Sequence, residues 1–178
     1  MEENKDYRAY RYGDHLEPGA ELKIEHSVSC EDVDISSLIT MGAENLEAMR
    51  QVIRGCDIPV ATGERFINPA EFDSLMTTTD VRYIRPDMCV SGGLTAGKKI
   101  AAEAEVRGVY VIPHNPLGPV STAACLQLDA CIPNFEVQEY PMANGVCRLD
   151  KEMKTPFHVE NGYIRLPEGP VTEVEKDA

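Results

Sequence analysis

Between Ile58 and Glu139 the chain alternates short apolar runs with stretches of helical spacing, at a repeat that fits one strand, one helix and two short loops. Parallel strands cannot be joined by a tight hairpin and need a crossover, so this alternation restricts the fold to a parallel sheet or a barrel. Four ionisable residues, Glu64, Asp87, His114 and Glu139, keep time with the repeat. They stand 23, 27 and 25 residues apart, each after an apolar run and before a turn. On successive parallel strands all four would emerge at the same end, and chemistry in a (β/α) barrel sits at one end.

The flanking residues support the reading unit by unit. Leu46, Met49, Val52 and Ile53 repeat at helical spacing before Gly55. Ile58 to Thr62 leads as a strand into Gly63-Glu64-Arg65. Asn68-Pro69 then supplies a cap and a first-turn proline for a helix through Phe72, Leu75 and Met76. Val81 to Ile84 is the next strand, closed by Pro86-Asp87. The turn Ser91-Gly92-Gly93 and a helix from Lys98 to Val106 follow. Val109 to Ile112 shows no alternation, the pattern of a strand buried on both faces, and runs into Pro113-His114-Asn115-Pro116. A helix over Val120 to Ala130 precedes a last strand, Phe135 to Glu139, which Pro141 stops.

A complete barrel of this kind typically needs about 250 residues. The chain has 178, so part of a barrel is expected, about four βα units. Residues 1–43 are acidic and irregular, and residues 44–178 carry the barrel pattern. Beyond Glu139, Cys147 to His158 reads as a loop-rich connector and Gly162 to Pro167 as a short terminal strand. A net charge of −13 argues against nucleic acid or anionic membrane as partners, although a metal ion can still recruit an acidic substrate. The six cysteines form no Cys-x-x-Cys pair and read as reduced, mostly buried thiols. The charged start at Met1 to Arg11 and the absence of a long apolar run point to the cytoplasm.

A histidine beside a carboxylate is held in one tautomer and made more basic, so Asp87 and His114 on adjacent strands suit removal of a proton near neutral pH. Abstraction next to a carboxylate leaves an enediolate, which needs a divalent metal and nearby hydrogen bonds. Glu64 would ligate that metal. Glu139 would meet the substrate's carboxylate from across the pocket, most usefully with its own proton retained. Taken singly, Glu64 and Asp87 also suit a helix cap or a turn. His15, His26 and His158 read as surface residues.

The run Ile58-Pro59-Val60-Ala61-Thr62-Gly63-Glu64-Arg65, then Pro86-Asp87 with Gly92-Gly93-Leu94-Thr95, then Pro113-His114-Asn115-Pro116-Leu117-Gly118-Pro119, resembles the C-terminal barrel half of the enolase superfamily. Ala123 to Ala130 and Pro133-Asn134-Phe135 to Gln138-Glu139 fit as well. The resemblance runs from about Glu44 to Pro170. It is nearest to the mandelate racemase subgroup, and within it to the galactonate dehydratases and related sugar-acid dehydratases. It implies the C-terminal part of a TIM-like (β/α)7β barrel. It makes Glu64 the third acidic ligand of Mg2+, Asp87 and His114 the dyad with His114 as base, and Glu139 the residue stabilising the enediolate. The substrate implied is a small-molecule sugar acid, losing water to give a 2-keto-3-deoxy acid.

Several family features are missing. The strand before the first helix usually ends in Glu-Glu-Pro, where this chain has Ser36 to Ala43, and Glu31, Asp32 and Asp34 lack a strand setting to replace the two other metal ligands. The N-terminal capping domain is absent, and Gly169-Pro170-Val171-Thr172-Glu173-Val174 departs from the family's glycine-rich tail. Two alternatives accompany the dehydratase reading. One is a non-catalytic module that forms a homo-oligomer or associates through open barrel edges. The other is a racemase or epimerase, against which stands the lack of a Lys-x-Lys motif before the barrel half.

Overall fold

The computed structural model describes residues 21–25, 45–57, 59–116, 118–140, 142–143, 146–147, 157 and 159–166, with the backbone alone at 21–25, 142–143 and 146–147. Its centre is the run α1 (Leu46–Gly55), β2 (Ala61–Thr62), α2 (Pro69–Thr78), β3 (Tyr83–Ile84), α3 (Gly93–Val106), β4 (Tyr110–Val111), α4 (Pro119–Asp129) and β5 (Gln138–Glu139). Strands β2, β3 and β4 pair in parallel, with Thr62 opposite Ile84 and Ile84 opposite Val111. Ladder bonds extend past the strand ends: Arg85 donates to Thr62 O, Ile112 to Ile84 O and His114 to Pro86 O.

Helix starts follow the sequence closely where a cap is written into it. Asn68 caps α2 through the backbone N–H groups of Ala70 and Glu71, Glu71 reaches back to Asn68 N, and Pro69 fills the first turn. Helix α3 instead begins at Gly93, five residues before Lys98, where the sequence pattern started it. Gly92 and Gly93 take φ of +104° and +74°, so they form the helix entrance rather than a separate loop.

Ile84 and Val111 are fully buried against Phe72 and Leu75 of α2, Ile100, Ala101 and Ala104 of α3, and Cys125 and Leu128 of α4. These residues define the helix side of the sheet. Strand residues alternate faces, so Tyr83, Arg85, Tyr110 and Ile112 belong to the other side. There the Tyr83 and Tyr110 rings lie 6.0 Å apart. Tyr110 is 38 % exposed, which corrects the expectation of a strand buried on both faces: β4 is buried on its helix side only.

The fourth strand differs from the continuous Phe135 to Glu139 run. Phe135 bridges Val111, and Glu136 donates to Val111 O. Farther along, Gln138–Glu139 pairs in parallel with β1 (Glu21–Glu25). Thus a strand lies within residues 1–43, which the sequence presented as irregular. β1 also pairs antiparallel with β9 (Tyr163–Arg165), the expected terminal strand, and β9 pairs with β8 (Val159–Glu160), giving the order β5-β1-β9-β8. A small hairpin, β6 (Met142–Ala143) with β7 (Val146–Cys147), completes the described elements.

Of the cysteines with described side chains, Cys56, Cys89, Cys125 and Cys131 are free, as expected. Only Cys125 is buried, and Cys89 and Cys131 are exposed, so the expectation of mostly buried thiols is corrected. His15, His26, His158, Glu31, Asp32, Asp34, Ser36 to Ala43, Pro141, Gly169 to Val174 and most of the Cys147 to His158 connector lie outside the described residues.

Candidate active site

The geometry is clearest at Asp87 and His114. A parallel bridge sets the two residues side by side just beyond β3 and β4. His114 Nδ1 lies 2.9 Å from Asp87 Oδ2, and Cys89 N donates to Asp87 Oδ1 at 2.7 Å. The turn that follows is tied to the Asp87 carbonyl by Ser91, through both its backbone N–H and its hydroxyl. Asp87 is 2 % exposed, whereas the His114 side chain keeps 21 % of its surface. One member is therefore a fixed, buried acceptor and the other reaches the site.

Glu139 approaches the same side from β5. Its Oε2 accepts from Arg85 Nη2 and, at 3.1 Å, from Asn115 N. The loop carrying His114 is braced from beneath: Asn115 Nδ2 donates to Thr122 Oγ1 and Glu139 O, and Gln138 Nε2 donates to Pro113 O and Glu139 O. Two prolines and these bonds hold the imidazole's backbone at both ends.

Glu64 follows β2 in a turn that Gly63 makes possible. Gly63 has φ +112°, and a Cβ there would meet Phe72 Cε1 at 2.7 Å. Glu64 is buried, and its Oε2 has no hydrogen-bond partner. Burial raises its carboxyl above the ordinary value, against the lowering by a backbone hydrogen bond and by the charges of Arg85 and His114, and Glu139 adds to the rise. His114 and Glu139 thus fall within electrostatic reach of Glu64, and Asp87 joins them through its contact with His114. Sequence reasoning missed Arg85, Asn115 and Gln138. Strand parity could have found Arg85, which shares its face with Asp87 two residues on.

An unpartnered buried carboxylate oxygen suits a cation. Yet among the described residues no group of three or more His, Cys, Asp or Glu side chains converges to hold one. These residues alone do not complete a magnesium site.

Residues 40–170 match the model of the enolase C-terminal domain-like family, and residues 5–54 match that of large polyvalent protein associated domain 34. The strand–helix repeat, with its acids and histidine at one end, is therefore a TIM-barrel-like domain. The chain belongs to the enolase C-terminal domain-like family. It is 36 % identical over 140 residues to D-galactonate dehydratase of Ralstonia pickettii (strain 12J), and 37 % identical to that of Variovorax paradoxus (strain S110). In both cases 76 % of this chain and 37 % of the relative are covered, so the chain spans little more than a third of those relatives. A member of the enolase superfamily from Salmonella Typhimurium superposes with a TM-score of 0.71 at 31 % identity, covering 76 % of this chain and 35 % of that one. An enolase from Agrobacterium radiobacter with bound Na and L-malate gives 0.67 at 32 %, covering 76 % and 38 %.

Proposed function

We propose that the chain forms part of a magnesium-dependent sugar-acid dehydratase. In this reading the site removes the proton next to the acid's carboxylate, and the neighbouring hydroxyl leaves to give a 2-keto-3-deoxy acid. The observation that carries it is the Asp87–His114 pair. With Nδ1–H directed at the Asp87 carboxylate, His114 presents Nε2 as an acceptor, and the buried negative charge stabilises the imidazolium that forms when the proton arrives. Galactonate dehydratases among the relatives supply the substrate class.

Glu139 faces the acid end of the substrate through Oε1, its other oxygen being occupied. Glu64 is the one metal ligand assigned to these residues, on the strength of its unpartnered Oε2. D-galactonate in D2O with Mg2+, followed by proton NMR, tests the reading. With the other metal ligands supplied by a relative's barrel strands, exchange of the α-proton and appearance of a 2-keto-3-deoxy product are expected, and α-proton exchange with inversion in place of water loss would mark a racemase instead.

A second reading has its own support. Among the described residues there is no three-donor cluster and β2 has a ladder partner on one side only, which favours a non-catalytic module that self-associates along that edge. No α-proton exchange, with a mass in sedimentation twice that of the chain or more, would select it. No helix among the described residues is long and apolar enough to cross a membrane.

A further inference from the structure

We propose that Arg85 is the residue that receives the carboxylate of an anionic ligand, and that it does so while holding Glu139 in place. The inference rests on the acid-binding part of the reading above and names the group responsible.

Three observations converge on it. Arg85 lies on the face of the sheet that carries Asp87 and His114, one step deeper, and is tied to β2 by its backbone bond to Thr62 O. Its Nη2 grips Glu139, its Nε is buried with no acceptor among the described residues, and the side chain as a whole keeps 13 % of its surface. Buried donors in native structures are nearly always paired, so an unpaired guanidinium N–H inside a site calls for an acceptor that arrives with the ligand. Charge gives the third. The site holds the carboxylates of Glu64, Asp87 and Glu139, and an acid entering it meets repulsion unless a cation answers. Arg85 is permanently positive, and its field already acts on Glu64. A guanidinium can bind two carboxylates along different edges, Glu139 along one and a ligand along another.

The experiment uses the whole chain, L-malate and D-galactonate as probes, and NMR of side-chain Nε–H and imidazole resonances. In the native protein either acid should shift the Arg85 Nε–H signal and the His114 ring signals with one common affinity. Arg85→Lys keeps the charge but loses the fork and should weaken binding at least tenfold. Arg85→Met should weaken it further. Thermal melts report whether each variant is folded, and the lysine variant decides the matter if the methionine one is not. Folded Arg85→Lys that binds both acids as the native chain does would overturn the anchor while leaving acid binding intact. Native protein that shifts no site resonance with either acid would overturn the anchor and the acid-binding reading together. Equal loss on Glu139→Gln, with the Arg85 Nε–H signal still moving at high acid concentration, would support Arg85 as the direct contact.

Discussion

Asp87 and His114 are joined twice, once by the backbone bridge between their strand ends and once by the 2.9 Å contact from Nδ1 to Oδ2. The side-chain contact therefore needs no loop to close. Replacing His114 by Asn keeps much of the shape and removes the group proposed as the base. Exchange of the α-proton of D-galactonate with solvent deuterium should then fall roughly 10²–10⁴-fold, with acid binding retained. Asp87→Asn should slow the same exchange through loss of orientation and basicity. Normal exchange in His114→Asn would show that another group takes the proton.

Glu64 is assigned a different role, and a different measurement reads it. Mn2+ should broaden the amide signals of Gly63 and Arg65 in the native chain. That broadening should be lost in Glu64→Gln and kept in Asp87→Asn. If it survives in Glu64→Gln, the carboxylate is not a ligand.

Asp129 provides a pH test away from the site. It is fully buried in α4, neither oxygen has a partner, and burial raises its carboxyl well above the ordinary value. The folded chain then keeps a proton that the unfolded chain releases near pH 4, so this group's cost is absent below about pH 4 and grows as pH rises toward the folded value. Asp129→Asn should raise the urea midpoint at pH 8, and the gain should shrink toward zero at acid pH. A midpoint that falls equally at both pH values would mean that the carboxylate has a partner the structure lacks.

Gly63 tests how the turn delivers Glu64. Alanine there would combine an unfavourable φ with a close approach to the Phe72 ring, and should cost about 1–3 kcal/mol of unfolding free energy. Chemical denaturation measures it. An unchanged midpoint would show that β2 and α2 can separate freely.

Much of this arrangement is legible in the chain itself, because it depends on local rules. Asn68 and Pro69 announce a helix start, and apolar runs ending in Glu64, Asp87 and His114 announce strand ends. What escapes is whatever depends on partners distant in sequence. Tyr110 looks like a core residue, since a run of Val, Tyr, Val and Ile cannot say that one face of the sheet is open. β1 escapes because its pairing with β5 and β9 joins segments more than a hundred residues apart. Strand parity puts Arg85 on the face of Asp87, but its pairing with Glu139, 54 positions on, is not legible.

Because Ile112 and His114 donate ladder bonds to the carbonyls of Ile84 and Pro86, the dyad is sensitive to insertions and deletions in a particular way. Adding one residue between Ile84 and Asp87 would turn the carboxylate toward the helices, while adding two would return it to its own face one step farther along. Changes of length after Asp87, in the Gly92-Gly93 entrance to α3, leave that parity untouched. A chain that differs only in the length of that loop can therefore keep the same Asp–His pair. A chain that gains or loses a single residue within β3 keeps both residues in its sequence and loses the pair.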